Sequence, residues 1–287
     1  MSEDTADERA AEDDPAQESE SDEESAPDAG QAHERGPAGG LGAALAGGAG
    51  FLSRLPVGTD LRGWEAFRHR PVAFVPAGYL VGALVALPFL LGLPAVTLAV
   101  VYPAALVLVT GINHADGVAD LGDAAVVHGD AEERLRVLKD SQLGVGGTVA
   151  LVLLFAGLAL AALGLAGRPA LQAAGVVVAA EVGAKLGMAT LACLGTAPFE
   201  GLGSQLTAVS DQSDLLVPML VALPAAFLSW PSPAAGAALA AAVVATLLVW
   251  RWADGYLGGI NGDVFGAANE LARVVALHAG VVAWTLS

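Results

Sequence analysis

The chain has 287 residues and a formal net charge of −17, and 55% of its residues are hydrophobic while only 15% are charged. A soluble globular domain usually carries about 25% charged residues, so most of this chain is predicted to face something other than water. No cationic stripe is present to neutralise phosphates, which excludes a nucleic-acid-binding module. Cys193 is the only cysteine, which excludes a disulfide-rich secreted scaffold.

The negative charge is concentrated at the N-terminus. Residues 1–36 contain 14 acidic side chains and two arginines, whereas the rest of the chain contains 16 acids and 11 bases. Residues 1–40 almost lack large apolar side chains, so they are predicted to form a disordered acidic tail before a membrane-embedded domain at 41–287. A solubilising tail is favoured over an interaction tail. Low lysine content with excess acid indicates adaptation to high salt, where self-repulsion is screened.

Seven apolar segments follow the tail, and about 20 such residues are enough to cross the hydrocarbon core of a bilayer. The sequence therefore predicts an all-α, polytopic integral membrane protein with about six to seven transmembrane helices. A soluble helical bundle is disfavoured because these segments have no polar face. The last three are short enough to be tilted or re-entrant. The segments are Val72–Leu93, Pro94–Ile112, Val145–Ala166, Ala170–Gly195, Leu215–Trp230, Ala234–Trp250 and Leu271–Leu286.

Basic residues predict the orientation. Most of them precede the first segment or lie in the second-to-third connection, and only Arg168 falls in a connection on the opposite side. The positive-inside rule then places the N-terminus and the loops 113–144, 196–214 and 251–270 on the cytoplasmic face of the cell membrane. These loops also carry nearly all remaining carboxylates, so the chemistry is expected at that face.

The first of these loops carries Asp116, Asp120 and Asp123, which are spaced at i, i+4 and i+7 and would share one face of a helix. Three like charges on one face repel unless a cation sits among them. Oxygen ligands without cysteine favour Mg²⁺, with Mn²⁺ as an alternative, so the three aspartates are predicted metal ligands, and Asp116 and Asp120 also catalytic. A solvated acidic helix face is the competing interpretation.

His114 precedes this cluster and would point about 160° away from Asp116 on a continuous helix. It is a candidate general base or phosphate donor, or else a structural residue at the end of the second segment. Further along the loop, Lys139, Asp140 and Ser141 stand next to a glycine-rich stretch. A lysine, a hydroxyl and accessible backbone can hold phosphate oxygens, so Lys139 is a candidate catalytic residue and the other two are candidate substrate ligands.

Two other regions contribute candidates. In the last loop, Gly259 permits close backbone approach to a ligand, and Asp263 is either a helix N-cap or a substrate ligand. Inside the fourth segment, Glu181 and Lys185 are four residues apart and are predicted to pair in the bundle interior. Lys185 is therefore a candidate substrate ligand, with a purely structural pair as the alternative.

Taken together, several motifs resemble the cobalamin synthase family, the adenosylcobinamide-GDP ribazoletransferases. The resemblance covers about residues 45–287 and implies an enzyme that joins adenosylcobinamide-GDP to α-ribazole, or its 5′-phosphate, with release of GMP. It implies a corrinoid nucleotide, α-ribazole and the lipid bilayer as partners, with other corrinoid-assembly enzymes or a second copy of this chain as further candidates. The matching stretches are FLSRLPV (51–57), FVPAGYLVG (74–82), HADGVADLGD (114–123), KDSQLG (139–144) and GGINGDVFGA (258–267).

Three alternative functions each fit part of the sequence. A membrane phosphotransferase that uses a CDP-alcohol would also place aspartates at the membrane face, but Ala119 is followed by Asp120 rather than arginine and the second half of that pattern is missing. A secondary transporter would use Glu181 and Lys185 as a mid-membrane ion path, yet the carboxylates cluster in loops. A membrane scaffold without catalytic activity leaves the aspartate cluster unexplained.

Overall fold

The computed structural model describes residues 39–287, and the predicted acidic tail lies outside these residues except for its last two positions. Within 39–287 the chain forms α-helices, three short 3-10 helices and no strand, which confirms the all-α fold class. The 3-10 helices are Pro71–Ala73, Gln212–Leu215 and Leu223–Phe227. The α-helices are α1 (Leu41–Leu52), α2 (Leu61–Arg68), α3 (Phe74–Leu90), α4 (Ala95–Thr110), α5 (Asn113–Val126), α6 (Ala131–Leu138), α7 (Val145–Leu165), α8 (Ala170–Leu194), α9 (Leu202–Thr207), α10 (Leu216–Ala222), α11 (Ala234–Leu257) and α12 (Gly262–Thr285).

Helix α8 forms the centre of the bundle. Nearly all of its residues are buried, and helices α3, α11 and α12 pack around it. Glycines where the helices cross make this close packing around α8 possible. A Cβ added at Gly82 of α3 would lie 2.9 Å from the Cα of Val178, so only glycine fits there without a shift. Small residues at helix crossings are typical of membrane proteins, where close packing replaces the hydrophobic drive.

The outer helices turn apolar side chains away from the bundle. Helix α7 is the clearest example, because Val149, Val152, Leu153 and Leu160 are all exposed. An apolar surface of this extent is unfavourable in water and is the normal surface of a protein in hydrocarbon. Together with the span-length helices, it identifies a multi-pass membrane protein.

Contacts between connections define two ends of the bundle. At one end, the Arg54 N–H donates to the Val109 carbonyl oxygen (2.7 Å) and the Ile260 N–H donates to the Thr196 carbonyl oxygen (2.8 Å). At the other end, the guanidinium of Arg168 lies 5.5 Å from the Trp284 ring centroid. Helices α5 and α6, the start of α7 and the start of α12 lie at the first end, because α5 follows directly on the end of α4 and packs against α6, α7 and α12. This end is called the site end below.

Fewer helices qualify as spans than the sequence predicts. Within residues 39–287, four have the length and hydropathy to cross a membrane, namely α7, α8, α11 and α3 with its preceding 3-10 turn, and a fifth is counted only if α4 and α5 are taken as one broken span. The prediction of six to seven is too high for two reasons. The segment Gln212–Phe227 is broken into 3-10 and α-helical pieces. Helix α12 begins nine residues before the predicted segment, and its first half carries polar and charged side chains.

The predicted loop 251–270 is also largely helical. Helix α11 continues to Leu257, and α12 starts at Gly262, so only 258–261 form the connection. Helix α11 is capped at its C-terminal end by Gly258, which adopts a left-handed backbone conformation (φ 75°). Residues with a Cβ disfavour this conformation, so glycine is the usual residue at such a helix end. The tight connection places the first turn of α12 directly at the site end. Asp254 lies on α11 and is exposed.

Candidate functional site

The aspartate-bearing helix is set by a sharp turn after α4. Gly111 has φ 79°, a conformation that favours glycine, and α5 begins two residues later. The axes of α4 and α5 are bent by 103°, so α5 runs across the site end rather than continuing through the bundle. This turn holds the polar face of α5 at the edge of the apolar bundle.

The three aspartates of α5 have different surroundings. Asp123 accepts two hydrogen bonds from the first turn of α7, from the Gly144 N–H to Oδ2 (2.8 Å) and from the Gly147 N–H to Oδ1 (2.9 Å). Asp116 is exposed and Asp120 is half-buried, and neither has a hydrogen-bond donor or basic partner among residues 39–287. Asp123 therefore anchors α7, and it is the least available of the three predicted metal ligands.

A fourth carboxylate joins this group from α12. Asn261 is the N-cap of α12, because its side-chain oxygen accepts from the Val264 N–H (2.9 Å). Of the two roles that the sequence allowed for Asp263, the N-cap role is therefore taken by Asn261 instead. Its Oδ2 accepts from the Asn261 side-chain amide (3.2 Å), and the rest of the carboxylate is available for other ligands.

The two helices meet through glycines. A Cβ added at Gly117 would lie 2.6 Å from the Asp263 carbonyl oxygen, and one added at Gly266 would lie 3.1 Å from the His114 Cα. Both contacts involve backbone, which cannot move aside as a flexible side chain could. The glycines therefore let α5 and α12 approach closely enough to bring Asp263 beside Asp116.

Burial and mutual repulsion raise the pKa values of two carboxylates at the site end, outside the four spans. Burial, followed by the charges of Asp116, Asp263 and Asp123, raises the pKa of Asp120 to about 6. Burial, followed by the charge of Asp116, also raises the pKa of Asp263. Carboxylates placed together without a counter-charge are a feature of sites that receive a cation.

The same carboxylates are candidates for a metal site. Among residues 39–287, no group of three or more His, Cys, Asp and Glu side chains converges on a point where an ion could sit. The carboxylates are thus close enough to repel but not to form a closed cage. Mg²⁺ is commonly held by one or two carboxylates with water and substrate phosphates completing the shell, so one or two of Asp116, Asp120 and Asp263 would be enough for a site of that kind.

His114 lies in the first turn of α5 and contacts α12. Its Nδ1 is 3.1 Å from the side-chain nitrogen of Asn269 and 3.8 Å from Oε1 of Glu270. Burial, followed by the charge of Lys185, lowers the pKa of His114 to about 4, so the imidazole is neutral. His114 and Asp116 line the same cavity, although they would point apart on a long helix, because the cavity surrounds the helix end.

Behind His114 lies a fully buried ionic network. Lys185 donates to Glu181 (3.1 Å), which confirms the predicted pair, and to the side-chain oxygen of Asn269 (2.7 Å). Arg273 donates to both Glu181 and Glu270. The network makes no contact with the cavities at the site end except through His114. The role of Lys185 as a substrate ligand stays a prediction, and its position inside the buried network does not support that role.

Two adjoining cavities open at the site end. The smaller, about 360 Å³, is lined by His114, Asp116 and Asp263 and is covered by Leu202 and Leu206 of α9. The larger, about 790 Å³, lies between the α1–α2 unit and the turn after α4 and is lined in part by Arg54. The two share four lining residues, Phe51, Thr110, Asn113 and Leu202, so together they provide room for a large ligand.

The remaining predicted ligands lie elsewhere. Lys139 follows α6, and its Nζ is 4.4 Å from the Phe199 ring centroid. Asp140 accepts from the Gln142 N–H (3.1 Å), and Ser141 is exposed. None of these three lines either of the two adjoining cavities, and Lys139 instead lines a separate cavity on α6 with Asp130 and Glu133. Gly259 is buried with φ 145°, and a Cβ there would lie 2.4 Å from the Thr196 carbonyl oxygen, so its visible role is to allow the turn before α12.

Comparison with known proteins decides the family. A family model described as cobalamin-5-phosphate synthase matches residues 44–281, which is most of the chain and nearly all of the described region.

The chain belongs to the cobalamin-5-phosphate synthase family.

Relatives of this cobalamin-5-phosphate synthase family member carry the name adenosylcobinamide-GDP ribazoletransferase. The protein from Halorubrum lacusprofundi is 56% identical over 84% of this chain and 98% of its own length. Those from Haloquadratum walsbyi and Methanocella arvoryzae are 48% and 33% identical, each over 85% of this chain and over 99% and 96% of their own lengths. No solved structure matches the chain.

Several residues of the site were not predicted from the sequence. Asn269, Glu270 and Arg273 were overlooked as a group, although polar residues beside an apolar segment are a recognised sign of function in membrane proteins. Arg54 was counted only for its charge and as part of a family motif, whereas it lines the larger cavity. Asn261 was not predicted as the N-cap of α12. Asparagine and aspartate are both good N-cap residues, so the sequence did not distinguish Asn261 from Asp263.

Proposed function

We propose that this chain is an adenosylcobinamide-GDP ribazoletransferase, which joins adenosylcobinamide-GDP to α-ribazole or α-ribazole 5′-phosphate and releases GMP. The product is adenosylcobalamin or its 5′-phosphate. The family match over residues 44–281 and the names of the relatives support this assignment. One structural observation carries it: Asp116 and Asp263 line a cavity at the site end, Asp120 is close enough to feel their charges, and none of the three has a basic partner among the described residues.

The reaction suits such a site. A ribazole hydroxyl oxygen attacks the phosphorus that bears the corrinoid, a new P–O bond forms, and the P–O bond to GMP breaks. Little covalent work is required of the protein, so positioning and neutralisation of phosphate charge account for most of the catalysis. Carboxylates alone would repel a diphosphate, and therefore the cluster supports binding of a cation together with the substrate.

Asp116, Asp120 and Asp263 are proposed to supply the one or two carboxylates that hold Mg²⁺, or Mn²⁺ in its place. Bound there, the ion would neutralise diphosphate oxygens and stabilise the charge that develops on GMP. Asp123 contributes by holding α7 against α5 through Gly144 and Gly147. One of the aspartates or His114 accepts the proton of the attacking hydroxyl.

Phosphate contacts are assigned to the segment after α6. Lys139 and Ser141 are proposed to bind phosphate oxygens and Asp140 to shape their turn. Their segment leads directly into Gly144, which Asp123 ties to the aspartate helix. Arg54 is a further candidate, because it is exposed and lines the larger of the two adjoining cavities.

The site end is proposed to face the cytoplasm. Arg54, Arg134, Arg136 and Lys139 all belong to this end, whereas Arg168 lies at the opposite one beside Trp284. Bases concentrate on the cytoplasmic side of membrane proteins. The excess of acids over bases supports activity at high salt. Other corrinoid-assembly enzymes and a second copy of the chain remain candidate partners.

A substrate panel tests the assignment. Membranes that contain the full chain would receive Mg²⁺ with either adenosylcobinamide-GDP and α-ribazole, or a CDP-alcohol and an acceptor alcohol, at high and moderate salt. We expect GMP and a base-coordinated corrinoid from the first pair and no product from the second. Turnover of the CDP-alcohol, or uptake into proteoliposomes without any turnover, would overturn the proposal in favour of a rival function.

A further inference from the structure

The imidazole of His114 has one ring nitrogen in a hydrogen bond and one without a partner in residues 39–287. Nδ1 lies 3.1 Å from the side-chain nitrogen of Asn269. Either of the two groups could be the donor in such a contact, since histidine has two tautomers and an asparagine amide can be turned around. The orientation of the Asn269 amide therefore decides which ring nitrogen of His114 carries the proton.

Two neighbours fix that orientation independently. The Lys185 ammonium lies 2.7 Å from the Asn269 oxygen, and an ammonium can only donate. On the other side, Oε1 of Glu270 lies 3.1 Å from the Asn269 nitrogen, and a carboxylate can only accept. Turning the amide around would set donor against donor at Lys185 and acceptor against acceptor at Glu270. Lys185 is itself held in place by Glu181 (3.1 Å), so the Asn269 nitrogen must face His114.

The tautomer of His114 follows from this geometry. Since Asn269 donates, Nδ1 must accept and carries no proton. A neutral imidazole then carries its proton on Nε2. His114 lines the 360 Å³ cavity together with Asp116 and Asp263. The ring thus offers a donor, rather than a lone pair, on the side that Asn269 does not occupy.

We propose that His114 donates a hydrogen bond from Nε2–H to a phosphate oxygen of the substrate and does not accept the proton of the attacking hydroxyl, with Asn269 and Lys185 as positioning residues that hold this tautomer. The inference rests on the proposed transfer reaction. The hydroxyl oxygen forms the new P–O bond, its proton passes to an aspartate carboxylate, and the P–O bond to GMP breaks with both electrons on GMP. The Nε2 proton of His114 stays on the ring throughout and stabilises negative charge.

Nitrogen-15 NMR of the full chain in lipid nanodiscs reads the tautomer without any substrate. The chain has five histidines, and comparison with a His114→Gln sample assigns the His114 signals. His278 serves as a reference within the same spectrum, because its Nε2 lies 3.0 Å from the Gly157 carbonyl oxygen, which can only accept. We expect His114 to match His278, with Nε2 protonated and Nδ1 unprotonated. A protonated Nδ1 on His114 would overturn the proposal.

The Asn269→Asp variant tests the positioning residue. A carboxylate at this position can only accept, so the His114 Nδ1 should change to the protonated form while His278 keeps its signals. A role of Asn269 in packing alone would leave the His114 tautomer unchanged, and that result would contradict the positioning role. Tyr102→Phe is the control, since Tyr102 is buried near the same charges without a hydrogen-bond partner among the described residues.

Turnover of two variants separates a donor from a base. Glutamine keeps an N–H donor of similar reach but cannot accept a proton, so His114→Gln should retain GMP release within about tenfold of the wild type, whereas His114→Ala should lose about 100- to 1000-fold. Equal loss in both, with folded protein present, would support a base and overturn the donor role. Absence of GMP release in the wild type would instead refute the transfer reaction, and the NMR result would stand separately.

Discussion

The carboxylate of Asp123 accepts the Gly144 N–H at 2.8 Å, which ties the aspartate helix α5 to the first turn of α7. Its second oxygen accepts from Gly147, so both oxygens are used by backbone donors. A negative group at a helix N-terminus stabilises the unpaired N–H groups and the helix dipole. The third aspartate of the motif thus has a structural role that its spacing alone does not reveal.

Replacing Asp123 should therefore affect stability first. Asparagine keeps one acceptor oxygen but loses the charge, so Asp123→Asn is expected to cost about 1–3 kcal/mol. The change in stability is measured by heating the purified chain in detergent and recording the fraction that remains folded by size-exclusion chromatography. A stability equal to the wild type together with complete loss of turnover would show that Asp123 is a metal ligand after all.

Replacing Asp120 should raise the stability of the fold, in contrast to replacing Asp123. Its folded pKa is raised to about 6, first by burial and then by the neighbouring acids, so the folded state binds this proton more tightly than the unfolded state does. The stability gained from protonation is complete below about 4 and is lost as the pH rises through about 6. At neutral pH and without metal, Asp120→Asn should raise the unfolding temperature. A lower unfolding temperature would contradict the view that these carboxylates repel one another without a counter-charge.

Arg273 neutralises two buried carboxylates. Arg273→Met should leave Glu181 with Lys185 alone and Glu270 without a cation, which is expected to cost about 3–5 kcal/mol. The yield of monodisperse protein after extraction from membranes measures the loss. The double variant Glu270→Gln with Arg273→Met removes one of the stranded charges and should recover part of the yield. No recovery would mean that Arg273 acts mainly through packing.

Gly117 should be needed for the geometry of the site. A Cβ at this position would lie 2.6 Å from the Asp263 carbonyl oxygen, so Gly117→Ala must separate α5 from α12. We expect turnover to fall at least about 100-fold, since misplacement by about 1 Å has such an effect. Gly255→Ala is the matched control on α11, where a Cβ meets nothing within 4 Å and alanine favours the helix. Similar turnover in both variants would argue against the close contact.

Local patterns in the sequence predicted the apolar core well. The predicted boundaries of α7 and α8 lie within a residue of those observed, because a long and largely apolar run between glycines or prolines marks both ends. The Glu181–Lys185 pair followed from helical spacing. The start of α12 was missed, since Asn269 and Glu270 broke the apolar pattern and only their buried partners on other helices explain them there.

The arrangement of the site was harder to predict. Asp123 and Gly144 are 21 residues apart, and His114 and Asn269 are 155 apart, so neither contact has a signature in local spacing. The sequence correctly suggested one end of the bundle as the place of the carboxylates. It could not separate Asp123, which holds a neighbouring helix, from Asp116 and Asp120, which have no such partner among residues 39–287.

Release of GMP by paired variants tests the central claim most directly. Membranes with the wild type, Asp120→Asn or Asp254→Asn would receive adenosylcobinamide-GDP and α-ribazole, with Mg²⁺ or EDTA. Asp254 is exposed on α11 and stands as an acidic control outside the cluster. The account predicts Mg²⁺-dependent GMP release by the wild type and Asp254→Asn, and at least about 100-fold less from Asp120→Asn. Undiminished release by folded Asp120→Asn, or release that persists in EDTA, would contradict a metal-binding aspartate site.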